Sequence, residues 1–517
     1  MATTSAKFRI IVPGLGLLVS ALAGTGQARA DEAAVLQANN RLLQERLDQL
    51  AQVPPAPGGP YGGGPANPAA TAGATGGSFA RSFLIPGTDT SIRIGGQITE
   101  IVDYWLSGGN PNQSPQSTTV GNNGQLNSLP LGSGGAGARG NGIFQQSPRE
   151  SKLSVETRTP TPWGQARTFM EFDWAGSTNY APGGANPTSV ADNLHPRLRY
   201  AYGTLGGFLA GQANSNFRDS DADSETLDFG GNAGSPGVVR IPQVRYTIAV
   251  PWWNSALSFS AETPETDIMT PLGLVANDSG VSSAAVSPGI NSCTVTGAPG
   301  ATCTVGAQLN VNPAKATAPD LTAAWFIPQP WGHLDFALVV RPGLDVQDGR
   351  FLSRQFVGYG GQFSGAVKPG WFGWARDTIQ WHLTAGDAIG RYLNNNTNFA
   401  LATNFRAATT SPANAATILV KPTRELGAQI GYTHHWSPRL RSTISFGYNR
   451  HDIPFAVVGA SEARAANKEL YSSHVNLIWS PVGFVDVGAE YVYGHRVVLN
   501  NASGNENVLI GKFAVRF

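Results

Sequence analysis

Residues 151–175 read SKLSVETRTPTPWGQARTFMEFDWA, two runs of alternating polarity joined by a short turn, Thr161 to Gly164. Val155, Thr157, Phe172 and Trp174 fall on one side of the alternation, and Glu156, Arg158, Arg167, Glu171 and Asp173 fall on the other. Successive side chains of a strand point to opposite faces, so each run carries one apolar face and one charged face. Charges at every second position cannot enter a dry core and need water on their side. About ten residues suffice to cross a bilayer when a strand is tilted. The stretch therefore reads as a hairpin of a membrane barrel, apolar toward lipid and charged toward an aqueous interior.

The same unit recurs along the chain. Runs rich in Val, Ile, Tyr and Phe lie near 91–105, 151–160, 165–175, 196–205, 207–214, 240–250, 255–263, 319–328, 332–341, 352–366, 372–386, 424–436, 439–450, 468–480, 482–493 and 506–517. The count is even, as single-chain bacterial barrels require. Connection lengths alternate as well. Short turns fall at 161–164, 206–207, 251–254, 328–332, 368–370, 437–438 and 480–483, and long segments lie between them at 107–149, 176–194, 215–238, 264–317, 387–423, 451–467 and 494–505. A barrel with short periplasmic turns and long outer loops produces this parity. Trp163, Trp252, Trp253, Trp331, Trp371, Trp436 and Trp479 all sit at or beside short turns, where an interfacial aromatic girdle belongs. The expected fold is all-β, a 16-stranded antiparallel transmembrane barrel over 83–517.

Composition supports this reading. Only 13% of the 517 residues are charged, against about 25% in ordinary soluble proteins. No mature apolar stretch reaches the length of a membrane-spanning helix. The formal net charge of +1 includes Lys7, Arg9 and Arg29, and without residues 1–30 the balance is 32 basic against 34 acidic. Such a balance leaves no nucleic-acid footprint.

The N-terminus is organised differently. Lys7 and Arg9 precede an apolar run to about Gly24, and Ala28-Arg29-Ala30 forms a small-x-small cleavage pattern, so 1–30 reads as a secretory signal peptide. Over 31–53, Leu36, Asn40, Leu43, Leu47 and Leu50 recur at steps of three and four and predict a short periplasmic α-helical coiled coil with Asn40 on the seam. A lone amphipathic helix on the membrane is the other reading of that stripe. Residues 54–82 form a Pro/Gly/Ala-rich linker. Export places the chain in an oxidising compartment, and Cys293 and Cys303, with nine residues between them in a small-residue stretch, favour a local loop disulfide over redox chemistry; a pair of free thiols is the alternative.

Strand phase assigns the lumen. Arg93, Arg158, Arg167, Arg197, Arg199, Arg245, Arg376 and Arg441 are read as inward, with Asp103, Glu156, Glu171, Asp173, Glu425, Asp486 and Glu490. In Arg197-Leu198-Arg199-Tyr200-Ala201-Tyr202 alternation puts the arginines inside and Leu198, Tyr200 and Tyr202 outside. A ring of sixteen strands is too wide for side chains to fill, so a charged, wet channel is expected. Arg outnumbers Lys by 28 to 7, which suits planar recognition of carboxylates.

These features resemble the trimeric general porins and, in order of parts, the DcaP-like outer-membrane porin family. The resemblance is carried by the coiled-coil stretch, the linker, the opening Ile85-Pro86-Gly87-Thr88-Asp89-Thr90-Ser91-Ile92-Arg93-Ile94-Gly95-Gly96, the segment Phe217 to Gly231, and the terminal Phe517. It implies a homotrimer in the bacterial outer membrane, in contact with lipid and lipopolysaccharide, with the N-terminal segment in the periplasm. It also implies passive uptake of small hydrophilic solutes, small anions such as dicarboxylates preferred. It implies further that the third outer loop, 215–238, folds into the barrel as a constriction. There Arg218 stands against Asp219, Asp221, Asp223, Glu225 and Asp228, and Arg199 and Arg245 are the expected opposing wall. The long small-residue insertions at 107–142 and 272–318 depart from the family pattern.

Other chemistries find little support. An EF-hand starting at Asp219 would place glycine and glutamate where Ser224 and Gly230 stand, so no metal site is expected. His434 and His435 are strand neighbours facing opposite ways, nucleophile-elbow, zinc-protease and phosphate-loop motifs are absent, and neither catalysis nor a cofactor is expected. A plugged structural or adhesive barrel is the alternative function, because the outer loops are long and rich in Ser, Thr and Asn.

Overall fold

The computed structural model describes residues 76–517 apart from 110–125, 127–130, 132–140, 177–194, 238–239, 272, 276–312, 394–398, 407–408 and 460–465. The coiled-coil positions Leu36, Asn40, Leu43, Leu47 and Leu50, the signal peptide, and Cys293 and Cys303 lie outside the described residues.

Sixteen strands form one closed antiparallel barrel: β1 (Ser91–Ser107), β2 (Lys152–Thr161), β3 (Gly164–Gly176), β4 (His195–Leu205), β5 (Phe208–Asn214), β6 (Arg240–Val250), β7 (Ser255–Glu262) and β8 (Asp320–Gln329) make the first half. The second half is β9 (Gly332–Gln347), β10 (Ser353–Val367), β11 (Thr378–Asp387), β12 (Arg424–Ser437), β13 (Leu440–Asp452), β14 (Asn467–Val482), β15 (Val485–Val498) and β16 (Ser503–Arg516). Each strand pairs with its chain neighbour, and β1 closes the ring on β16 from Gln97↔Arg516 to Ser107↔Asn507. On its other edge β1 changes partner: its first half pairs with β2, and its second half with the short strand Ile143–Ser147. Closure leaves no unpaired edge, which a lipid environment demands.

Burial is inverted relative to a soluble protein. Ile94, Val244, Leu338 and Ile444 are each more than half exposed, whereas Arg167, Arg199, Arg245 and Arg341 are at most 2% exposed. The seven tryptophans of the short turns are all exposed at one rim, as an interfacial girdle requires. One of those turns depends on glycine: Gly332 has φ +144, and a Cβ there would strike the Ala366 carbonyl on β10.

Beyond the long-loop rim, the short strands Ile268–Thr270, Gly273–Val275, Leu401–Thr403 and Val420–Pro422 make a small separate sheet. Ile268, Leu401 and Phe405 pack there with Leu344 and Val346 of β9 and with Leu352.

Two sequence expectations are corrected. The register of β3 and β4 shifts at a bulge, with Glu171 opposite Tyr200 and Phe172 opposite Leu198, so Arg199 is the extra residue. Beyond the bulge the phase is reversed: Tyr200 and Tyr202 are buried on the inside and pack on Phe169 at 5.9 and 5.7 Å. Strand β11 begins at Thr378, so Arg376 lies in the preceding turn and not on the barrel wall.

Candidate functional site

After β5 the chain turns into the barrel, and residues 215–237 run along the inside of the wall. Ser215 and the Asn216 amide both donate to Glu262 of β7, at 2.9 and 2.8 Å. Phe217 then meets Tyr392 edge-on, with ring centroids 5.5 Å apart. Asp219 caps the single 3₁₀ turn Ser220–Ala222 and accepts from Ser364 of β10 at 3.1 Å, and His333 of β9 lies 2.8 Å from the same carboxylate oxygen. Asp223 pairs with Arg218 and lies 3.2 Å from His382 of β11. Burial pushes the Asp223 carboxyl up, but Arg218 and His382 outweigh it and hold the group below the usual carboxylate range.

Further along, Arg441 of β13 grips Glu225 with two bonds of 2.7 and 2.6 Å. Glu490 of β15 accepts the amides of Leu227 and Asp228 at 2.7 and 3.1 Å and is itself held by His474 and Asn476 of β14. Phe229 lies under Arg199 and Arg197 of β4, at 5.3 and 5.8 Å. On the return, Asn232 accepts from Ser445 of β13, and the Ala233 amide donates to Ser472 of β14. The loop is thus fastened to wall strands far from its own two ends.

The sequence-assigned loop residues separate into two groups. Asp219, Asp228 and Arg218 are buried and hold the loop in place. Asp221 is exposed, and the side chains of Asp223 and Glu225 keep 27% and 38% of their surface open. These three acids are what the loop presents.

The arginines separate similarly. Arg199 bridges Glu171 and Asp173 at 2.7 Å each, and Arg245 is held by Gln243 and the Asn214 carbonyl. Arg441 belongs to the loop's anchorage and not to the opposing wall. Arg93, Arg158 and Arg167 converge on Glu156 at 2.5, 2.7 and 2.9 Å. Arg197 is bidentate to Asp173, yet 35% of its side chain stays open. On strands β1 to β4 and β6, six arginines (93, 158, 167, 197, 199 and 245) therefore face four acids, Asp103, Glu156, Glu171 and Asp173, leaving that wall cationic. The loop presents acid. The two surfaces therefore differ in the sign of the charge they carry.

Sequence reading missed a second charged cluster at the long-loop rim. Arg341 of β9 and Arg391 reach Asp320 of β8 at 3.2 and 3.1 Å, and the Tyr392 hydroxyl donates to Glu262 and Asp320. Asp267 lies beside it, buried, with no hydrogen-bond partner for either carboxylate oxygen among the described residues. Nothing in the local pattern marks Arg391 or Asp267, since both sit in long loops without strand phase. Among the described residues no cluster of His, Cys, Asp or Glu suits a metal ion.

Comparison with known proteins extends this picture. The family model described as the porin subfamily matches residues 79–337, and that of the DcaP outer membrane protein matches 424–514. The crystal structure of the outer membrane channel DcaP of Acinetobacter baumannii is similar in fold, with a TM-score of 0.59 and 20% identity, covering 84% of this chain and 99% of that one. OmpT of Vibrio cholerae (8% identity, 84% and 100% covered) and the anion-selective porin from Comamonas acidovorans (7%, 83% and 100%) align with TM-scores of 0.44 and 0.41. No curated protein sequence matches.

Proposed function

The chain belongs to the porin subfamily, DcaP-like in kind, and on that premise we propose that it forms a water-filled passage for passive diffusion of small hydrophilic solutes, with small anions such as dicarboxylates preferred. Family and fold point to a channel in the bacterial outer membrane rather than to an enzyme. One observation carries the finer reading: the loop acids Asp221, Asp223 and Glu225 stand on one side, and a wall of six arginines against four acids stands on the other. A small anion crossing the field between them follows the cationic wall. Arg197 is about one-third open, and the guanidinium edge turned away from Asp173 offers a solute carboxylate planar donors.

A homotrimer with its N-terminal segment in the periplasm completes the proposal. Besides the heptad stripe of residues 31–53, one outward residue supports it. Glu100 alternates with Ile98 and Val102 on the outer face in the middle of β1, where a carboxylate facing hydrocarbon is costly and a second copy would cover it. Arg424 and Arg450, outward and exposed at the long-loop rim, suit the phosphates of lipopolysaccharide.

The test is conductance of the purified protein in planar bilayers, with the reversal potential read in a salt gradient. Discrete steps in triplets with an anion-leaning reversal potential are expected. Cation preference would make the loop acids dominant and overturn the anion reading. Silence from correctly folded protein would mean a plugged barrel and favour a structural or adhesive role.

A further inference from the structure

Arg93, Arg158 and Arg167 lie within the first or last few residues of β1, β2 and β3, at the short-turn rim. Their shared partner, Glu156, is buried, and so is Arg167, but the side chains of Arg93 and Arg158 keep 12% and 17% of their surface open. Arg93 and Arg158 carry about ten N–H donors between them, whereas Glu156, which they share with Arg167, offers roughly four lone-pair sites. Among the described residues the ion pairs of Arg93 and Arg158 converge on this one carboxylate, so the pair carries a surplus of positive charge. Arg81 adds a fourth cation close enough to act on Arg93.

A residue outside the barrel wall completes the arrangement. The segment before β1 enters this rim as a tight turn, in which Ser82 Oγ donates to the Phe79 carbonyl at 2.6 Å and the Ser82 amide donates to the same oxygen at 3.1 Å. The Ser78 amide ties the turn to Ser91 Oγ at the start of β1, at 2.8 Å. This holds the Phe79 ring over Arg158 at 4.5 Å and over Arg93 at 5.6 Å. A ring on the face of a guanidinium leaves its in-plane N–H edge open while fixing the plane. Fixed, coplanar donors with surplus charge are what a carboxylate needs for bidentate binding.

We propose that Phe79, Arg93 and Arg158 form a carboxylate-binding exit subsite at the periplasmic mouth, with Phe79 as the positioning residue that orients both guanidinium planes. This rests on the anion-conducting reading above and names where the anion pauses as it leaves. Binding there is transient, because Glu156 already takes part of the donors and lowers the net charge that an anion meets.

The experiment is single-channel recording in planar bilayers with one-sided protein insertion and succinate added on the periplasmic side. Wild type is expected to show concentration-dependent current interruptions. Phe79→Ala should weaken the apparent succinate affinity about 3- to 10-fold, the range of a lost cation–π contact. Arg158→Lys keeps the charge but loses the planar fork, and should weaken it at least as much. Interruptions unchanged in both variants, while the reversal potential remains anion-leaning, would overturn the subsite and leave the channel reading intact. Equal interruption by inorganic phosphate that persists in Arg158→Lys would show a plain field effect and overturn it too. Loss of anion preference already in wild type would instead remove the underlying function.

Discussion

Arg199 and Arg197 are two positions apart on β4 and take opposite roles. Arg199 is buried between Glu171 and Asp173, so Arg199→Gln leaves buried carboxylates undercompensated and should cost about 3–5 kcal/mol. Thermal unfolding in detergent should fall clearly for that variant. Arg197→Gln, at the open edge of the same pair of strands, removes two bonds to Asp173 but leaves Arg199 on it, so it should lower the melting temperature less than Arg199→Gln and move the reversal potential toward cations. Equal effects of the two variants on selectivity would contradict this division. Strand phase found both arginines but put Tyr200 and Tyr202 on the wrong face, because a bulge inserts one residue without changing the composition of the strand. At the long-loop rim Asp267 behaves differently from the loop acids: burial pushes its carboxyl up to about 7, against an ordinary value near 4. A carboxyl raised on folding adds no penalty below about pH 4, and its ionisation costs stability increasingly as pH rises toward 7. Limited proteolysis of the outer loops should therefore be faster at pH 8 than at pH 5. Asp267→Asn should abolish that difference, and a persisting difference would place the titration elsewhere.

Among the elements, the inward loop 215–237 depends most on contacts that no local pattern reveals. Its acidic alternation was legible, and so was its place as the third long connection. Its anchors were not, because Glu490 lies more than 260 residues from the amides it accepts, and nothing about an inward glutamate on β15 marks it as a clamp. The sixteen strands were legible for the opposite reason: each needs only its own alternation and its neighbour's turn. The start of β11 was misplaced because Trp371 and Trp374 continue an apolar run through a turn. Glu490→Ala should strand two backbone amides and release His474 and Asn476, at a cost of about 1–3 kcal/mol for each group left unpaired. The expected readout is a noisier open-channel current with larger mean conductance, as the loop leaves the wall. A quiet channel of unchanged conductance would mean that the remaining anchors, Arg441 with Glu225 chief among them, suffice alone.

On the proposed reading, the molecule as a whole works by two surfaces of opposite sign held apart across one interior. Charges exposed to water there are screened beyond a Debye length, about 10 Å at 0.1 M salt and about 3 Å at 1 M. Anion preference measured in equal-ratio gradients should accordingly shrink as the mean salt concentration rises from 0.1 to 1 M. A preference that does not change with salt would mean that ions are sorted by direct contact with Arg197 and its neighbours, not by the field. The fastening of residues 215–237 to strands from β7 round to β15 has a mechanical consequence as well. An empty hoop of sixteen strands flattens easily under sideways load, whereas one with an internal brace resists ovalisation. The bore should then keep its cross-section when the surrounding bilayer squeezes it. Conductance should be the same in thin and thick lipid bilayers for wild type and should drift with thickness in Glu490→Ala. If wild type drifts equally, the loop is a lining and not a strut.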